Sequence, residues 1–322
     1  MRSLVVDPAA PAGLRIEERP EPAAGPGQVL IKVEAVSLVD RDLEYAPRMV
    51  GAGGVWGFDA AGTVIDAAPS PDALDGPGSS SDPGSAPAPA PEPGTRVVTL
   101  LPAPGAWSEV IVSAVANVAP LPDSVDAPTA TALALPGVSA LQSLREVAPR
   151  PGQHVLVTGA SGGVGWYAVQ LAALAGARVT ALVRDPADAA ALRLIGAASV
   201  VTDLADVVSP VDIVIDIVGG AVLAAAVSLL GEGGVAVAVG AISGEPTILG
   251  PDALASPLRR RVQGYWGQWP LGAELRELAA LVAAGQLRPA ERPRTSWQKV
   301  DELAAGFLDG RVRRRRTILE VD

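Results

Sequence analysis

Ala160, Gly162 and Gly165 interrupt an otherwise apolar run, VLVTGASGGVGWYAVQLA, between Val155 and Ala172. The residues before them read as a strand and those after as a helix. Small residues at this A-x-G-x-x-G spacing suit one task. The first takes the tight turn out of the strand, Gly162 lets the backbone approach a pyrophosphate, and Gly165 lets the helix pack closely on the strand. The helix N-terminus then offers unpaired N–H groups and the positive end of its dipole to the phosphates. Dinucleotide binding is the expected chemistry. The residue about 20 positions further on selects the dinucleotide. Arg184 stands there, and a guanidinium suits a ribose 2′-phosphate, where an acid would suit a free hydroxyl. Asp185 follows it and would favour the hydroxyl if the register moved by one residue. The charge argument predicts NADP(H).

Such a turn needs a sheet behind it. HVLVTG, ARVTALVR, ASVVTD, VDIVIDIVGG, GGVAVAVGAI and RRRVQGYWG alternate with helical segments. Short, nearly continuous apolar strands separated by helices are expected of a parallel sheet covered on both faces. The pattern predicts a doubly wound domain over residues 124–266. Its leading segment, APTATALALPGVSALQSLREV, reads as a helix broken near Pro136. Residues 1–123 are β-rich, with SLVVD, QVLIKVEAVSL, GFDAAGTVIDA, TRVVTLL and WSEVIVSA as strands. Within them, residues 67–94 are low in complexity and read as an expanded surface loop. Residues 267–322 hold helices at Leu271–Ala284 and Trp297–Leu308 and a last strand, TILEVD. They are expected to return and complete the first domain. The fold class is α/β. His154, ahead of the first parallel strand, reads as a surface residue.

Composition limits the alternatives. The chain has 322 residues, 49% of them hydrophobic and 19% charged, which fits two globular domains rather than disorder. There is no cysteine, so disulfides and thiolate-held zinc or iron–sulfur clusters are excluded. His154 is the only histidine, and no carboxylates cluster, so no metal site is expected. A net charge of −10 disfavours nucleic acid and anionic membrane as partners. The run RVRRRR, Arg311 to Arg316, reads as a solvated edge. MRSLVVDPAAPAG lacks the apolar core of a signal peptide, and the longest apolar stretch, Ile217 to Gly231, is too short to span a bilayer. A cytoplasmic location is expected.

LVTGASGGVGWYAVQLAALAGARVTALVR, VDIVIDIVGG and GGVAVAVGAISG, with GFDAAGTV and LPGVSALQSL upstream, resemble the zinc-free quinone oxidoreductase branch of the medium-chain dehydrogenase/reductase superfamily. Order and spacing match over nearly the whole chain outside residues 67–94. The resemblance implies a GroES-like β-barrel catalytic domain plus a doubly wound Rossmann domain with a six-stranded parallel sheet. It implies a homodimer, paired through the strand RRRVQGYWG. By the same resemblance Ser161, Gly162, Gly163, Val164 and Gly165 would meet the pyrophosphate and Arg184 the 2′-phosphate. Ser139 would lie near the nicotinamide. Val218, Gly240, Ala241 and Ile242 would line the path from adenosine to nicotinamide, and Gln263 to Trp266, including Tyr265, would lie at its nicotinamide end.

Relatives often carry Asn-x-x-Asp-x-Tyr after the second strand. Here Val39, Asp42 and Glu44 occupy those places and Tyr45 comes one residue late. Their Gly-Lys before the last strand is replaced by arginines, with Arg315 or Arg316 standing in. The activity implied is NADPH-dependent, zinc-independent hydride transfer to a quinone or an α,β-unsaturated carbonyl. Tyr45 would donate to the carbonyl oxygen, with Asp42 orienting it or relaying a proton. Trp56 and Trp266 would flank a flat substrate by stacking. Each has another reading: Tyr45 as a pocket wall, Asp42 as a helix cap, Trp56 as barrel core. Two further functions stay open. One is a dedicated enone or enoyl reductase of a specialised-metabolite pathway. The other is an NADPH-binding sensor or scaffold with degraded catalysis.

Overall fold

The computed structural model describes residues 1–68, 89–208, 210–255, 257–309, 311 and 316–322. Most of the low-complexity stretch expected to form a surface loop, and Arg315 with residues 312–314, lie outside the described residues. The chain divides into two compact units, Met1–Leu135 with Trp269–Asp322, and Pro136–Gln268.

In chain order the first unit opens with β1 (Arg2–Val6), β2 (Leu14–Glu18), β3 (Gln28–Leu38), α1 (Asp42–Met49), β4 (Asp59–Ala67), β5 (Arg96–Leu100), β6 (Val110–Ala114) and β7 (Val118–Pro120). Helix α2 (Ala127–Val147) leads into the second unit. There follow β8 (His154–Val157), α3 (Gly163–Leu174), β9 (Arg178–Leu182), α4 (Ala189–Leu194), β10 (Ala197–Val201), β11 (Val211–Asp216), α5 (Gly220–Ser228), β12 (Leu230–Ala238) and β13 (Arg261–Gly264). The chain then returns to the first unit with α6 (Gly272–Ala283), β14 (Arg294–Ser296), α7 (Val300–Leu308) and β15 (Thr317–Glu320).

The first unit is built on a seven-stranded sheet in the order β14-β15-β3-β4-β5-β7, with β6 also on β3. β3 changes partner along one edge, from β6 at residues 28–32 to β15 at residues 35–38, so the sheet begins to curl into a barrel. Its inward side chains, Val29, Ile31 and Val33, are buried while Lys32 and Glu34 face solvent. Leu4, Leu14, Trp107, Trp297 and Phe307 fill the core beside them.

In the second unit β8–β13 form one six-stranded sheet, all parallel, in the order β10-β9-β8-β11-β12-β13. The α/β class and the six-stranded parallel sheet expected from sequence are both present. The chain leaves β8 toward β9 and β10 and later returns to β11 on the other side. The switch point of the sheet therefore lies between β8 and β11. These central strands are covered on both faces along most of their length, which is why they read as nearly continuous apolar runs.

Two expectations are corrected. Helix α2 continues through Pro136 without a break. A proline there removes one backbone donor, but Leu133, Ala134, Val138 and Ala140 bury the helix on either side of it. His154 is not on the surface. It begins β8, is 2% exposed, and bonds Pro210 O through Nδ1 at 3.1 Å and Thr180 Oγ1 through Nε2 at 2.7 Å. With both ring nitrogens partnered, the imidazole fits the interior, and burial holds its pKa below the ordinary value.

Candidate functional site

At the C-terminal end of β8 the chain turns through Thr158 and Gly159 into α3. Gly159, at φ +59°, takes the left-handed conformation. The residue that makes this turn thus lies one position before Ala160, where the sequence pattern had been started. Gly162 N–H donates to Gly159 O at 2.9 Å and closes the loop. Gly165 is held against it so closely that a Cβ there would lie 2.3 Å from Gly159 O and 2.7 Å from Ala160 Cα. Gly162 is the N-cap of α3, and no side chain caps the helix. The first-turn N–H groups, at Gly163, Val164 and Gly165, therefore lack helical partners and point out of the helix end. Ser161, Gly163 and Val164 are half-buried and Gly162 is exposed, so this end is open to a ligand.

Arg184 lies two residues past the end of β9 and is exposed. It forms no ion pair among the described residues. Asp185 is already engaged, since its Oδ1 accepts from Ala187 N–H at 3.0 Å as the cap of a short 3₁₀ turn. The acid that could have reversed the charge argument is thus turned toward its own backbone.

Beyond β11 and β12, two loops meet. Ile242 N–H donates to Ile217 O at 3.2 Å and Ser243 N–H to Val218 O at 2.9 Å. Gly240 packs so tightly on Ile217 O that a Cβ would lie 2.8 Å away. A Cβ on Gly159 would in turn meet Val218 Cγ2 at 3.3 Å. Val218, Gly240, Ala241 and Ile242 are thus brought beside the glycine turn, on the C-terminal edge of the sheet.

Sequence reasoning missed the residue under this edge. Asp216, fully buried at the end of β11, accepts from Thr158 Oγ1 at 2.5 Å and from Gly219 N–H at 2.7 Å. Its burial raises its pKa above the usual carboxylate range. The only local sign was an acid ending a run of valines and isoleucines.

Ser139 lies on α2 one turn after Pro136, which packs against Gly163 at the start of α3; a Cβ on Gly163 would meet Pro136 Cβ at 3.4 Å. Gln142, also missed, is buried a turn further on. Its Oε1 accepts from Tyr265 O–H and Gln268 N–H, both at 3.0 Å, and its Nε2 donates to Gln268 O at 2.8 Å. Tyr265 is thereby tied to α2, whereas Trp266 is 84% exposed.

The first unit holds a separate polar group. Asp42, at the start of α1, accepts from Val39 N–H at 2.7 Å and Trp56 Nε1–H at 2.8 Å. Burial is the main cause that raises its pKa to about 6, with the two hydrogen bonds and Arg316 opposing it and Asp59 adding to it. Trp56 is 6% exposed and stands edge-on to Phe58 at 5.1 Å within the core cluster. Its ring faces are packed inside rather than offered to a flat molecule. Tyr45 is 40% exposed, and its hydroxyl accepts from Arg41 Nη1 at 3.0 Å. Arg316 pairs with buried Asp59 and donates to Ser37 Oγ at 2.6 Å. Ser37 in turn donates to Asp59 Oδ1 at 2.6 Å. Among the described residues no three His, Cys, Asp or Glu side chains gather as a metal site, and no helix is long and apolar enough to cross a membrane.

Comparison with known proteins agrees with this architecture. Residues 163–284 match the family described as zinc-binding dehydrogenase. The chain is 36% identical over 196 residues to the spectinabilin polyketide synthase system protein NorB of Streptomyces orinoci, covering 58% of this chain and 8% of that protein. It is 32% identical over 184 residues to the chloroplastic quinone-oxidoreductase QR1 of Triphysaria versicolor, covering 53% of this chain and 51% of the relative. The chain thus spans a small part of the polyketide synthase and about half of the plant protein. The quinone oxidoreductase from Coxiella burnetii has the same fold, with a TM-score of 0.79 at 24% identity over 100% of this chain and 99% of the other. With a dinucleotide-type glycine turn at the switch point of its parallel sheet, the chain is similar to zinc-binding dehydrogenases over residues 163–284 and to a quinone oxidoreductase over about half of that relative's length, and it shares the fold of the Coxiella protein.

Proposed function

We propose that the protein is an NADP(H)-dependent, zinc-independent oxidoreductase that reduces a conjugated acceptor, an α,β-unsaturated carbonyl or a quinone. One observation carries the reading. The uncapped N-terminus of α3, entered through a left-handed Gly159 and an exposed Gly162, lies at the switch point of a parallel sheet. This is where an open α/β sheet binds a phosphate-bearing ligand. The residues fit the cofactor. Ser161 to Gly165 would hold the pyrophosphate with backbone N–H groups. Exposed, unpaired Arg184 would hold the 2′-phosphate by charge-assisted hydrogen bonds. Val218 and Gly240 to Ile242, packed beside the turn, would line the remainder of the dinucleotide, with Ser139 and Tyr265 toward its nicotinamide end.

When bound, the reduced nicotinamide supplies the hydride, and the protein's task is orientation and exclusion of water. Tyr45 is the proposed donor to the acceptor's carbonyl oxygen, with Arg41 holding its hydroxyl. Asp42 spends both oxygens on Val39 and Trp56, so its role is to fix the start of α1, and Tyr45 with it. Trp56 supports that helix from the core. Trp266, widely exposed, remains available for stacking.

The likeness to a polyketide synthase system protein supports a dedicated enone or enoyl reductase as the second reading. β13 is the edge strand of its sheet and leaves a row of backbone groups for pairing with a second copy, which supports a homodimer. The test is NADPH and NADH titration of the purified protein, followed by NADPH consumption with a panel of enones, enoyl thioesters and quinones. Turnover of enoyl substrates with NADPH is expected. Affinity for neither nucleotide would overturn the reading. Binding without turnover on any acceptor would leave a nucleotide-binding protein only.

A further inference from the structure

The glycine turns at the edge of the parallel sheet are held by backbone hydrogen bonds and by few side chains. Gly159, Gly219 and Gly220 all have positive φ, at +59°, +74° and +57°. Glycines have the widest conformational freedom of any residue, so turns built from them need outside support. One buried carboxylate touches all of them or their neighbours. Asp216 Oδ1 accepts from the hydroxyl of Thr158, the residue before Gly159, and Oδ2 accepts from Gly219 N–H. The Thr158 hydroxyl also accepts from Ile217 N–H at 3.1 Å. The backbone oxygen of Asp216 accepts from Val239 N–H at 2.7 Å and Gly240 N–H at 3.2 Å. No cation pairs with this carboxylate among the described residues. A buried, unpaired acid is normally expensive, and a neutral apolar residue would serve packing equally well. Its place among these turns points to a task that packing does not supply.

We propose that Asp216, acting through Thr158 and Gly219 N–H, is a positioning residue that aims the N–H groups of the Gly159–Gly165 turn at the dinucleotide pyrophosphate. It touches no ligand. Without it, the proton of the Thr158 hydroxyl and Gly219 N–H lose their acceptor, and the turns relax into other conformations. This inference rests on the proposed dinucleotide site.

The experiment compares Thr158→Val, Thr158→Ser and Asp216→Asn with the unchanged protein. Affinity is measured for NADPH and for adenosine 2′-phosphate, a fragment without the pyrophosphate, together with the thermal midpoint. Thr158→Val is nearly isosteric and keeps the protein folded if Asp216→Asn does not. NADPH affinity is expected to fall roughly tenfold or more in Thr158→Val and Asp216→Asn. It should return to within about twofold in Thr158→Ser, which restores the hydroxyl. Affinity for the fragment should change less than about twofold in all of them. Equal losses for NADPH and the fragment would make Asp216 a general support of the fold and overturn the proposal. Unchanged NADPH affinity in Thr158→Val would overturn it as well. If the unchanged protein binds no nucleotide at all, the dinucleotide site itself is wrong, a result distinct from both.

Discussion

Replacing Gly165 by alanine tests the closest approach at the proposed nucleotide site. The new Cβ would lie 2.3 Å from Gly159 O and 2.7 Å from Ala160 Cα, and both are backbone atoms without a rotamer to escape into. Cβ atoms rarely come nearer than 3.0 Å, so the start of α3 must move from β8 by about 0.7 Å. Overpacking of this kind costs about 1–3 kcal/mol. At roughly 2–4 °C per kcal/mol the thermal midpoint should fall by about 2–12 °C. The same displacement moves the first-turn N–H groups away from a phosphate. Losing one hydrogen bond to a charged group, about 1.5–3 kcal/mol, weakens NADPH binding roughly 10- to 150-fold. Gly162→Ala is the control. Its Cβ would sit 3.0 Å from Gly159 O, at a φ of −74° that alanine tolerates. It should melt within a few degrees of the unchanged protein, yet still bind less NADPH, because its methyl group projects from the exposed N-cap. Fluorescence titration with NADPH and a thermal melt read both quantities. If Gly165→Ala binds NADPH within twofold of the unchanged protein and melts at the same temperature, the packing argument is refuted.

Other expectations follow from single groups. Arg184→Asp should weaken NADPH binding by about one to two orders of magnitude and leave NADH within a few-fold; equal loss for both nucleotides in titration would remove Arg184 from the 2′-phosphate. Asp42 has a folded pKa of about 6 against an ordinary 3.8, so the folded protein keeps a proton there that the unfolded chain has lost. Stability should therefore fall as pH rises from about 4 to about 6, by about 3 kcal/mol from this residue, and Asp42→Asn should flatten that slope in denaturant titrations. His154 behaves oppositely: its pKa is held low, chiefly by burial, so its contribution is complete above about pH 6.5 and is lost as pH falls. As the only histidine, it gives one set of imidazole NMR signals, and a midpoint at or above 6.5 would contradict its burial. Trp56→Phe removes one of two donors to Asp42 and should move that carboxyl's midpoint further upward, seen as a shift of the same stability slope to higher pH.

The legible parts of this protein are those whose cause is local. β8 and β11 are covered on both faces along most of their length, so their burial appears as nearly continuous apolar runs, VLV and IVI. β3 is covered on one face in its middle, residues 31–35, and alternates there accordingly. The glycine turn is equally visible, because close helix–strand contact excludes side chains at fixed offsets. Short pieces such as β2, β7 and β14 escaped notice, since strands of three to five residues contain too few alternations to rise above their surroundings. Arg184 and Asp185 were distinguishable only as charges in sequence; which of them is free to meet a ligand depends on a carboxylate folding back onto Ala187.

Sequence by itself determined the class of the fold, the six-strand alternation and the place of the glycine turn between β8 and α3, because each is written in hydrophobic periodicity and glycine spacing within a few residues. Tertiary structure alone decided which polar groups would be buried and with whom. Asp216 meets Thr158 from 58 positions away, His154 reaches Thr180 across 26, and Arg316 finds Asp59 across 257. The reason is that burying a polar side chain is tolerable only when a partner arrives to satisfy it, and the chain's path, not its local pattern, brings the partner.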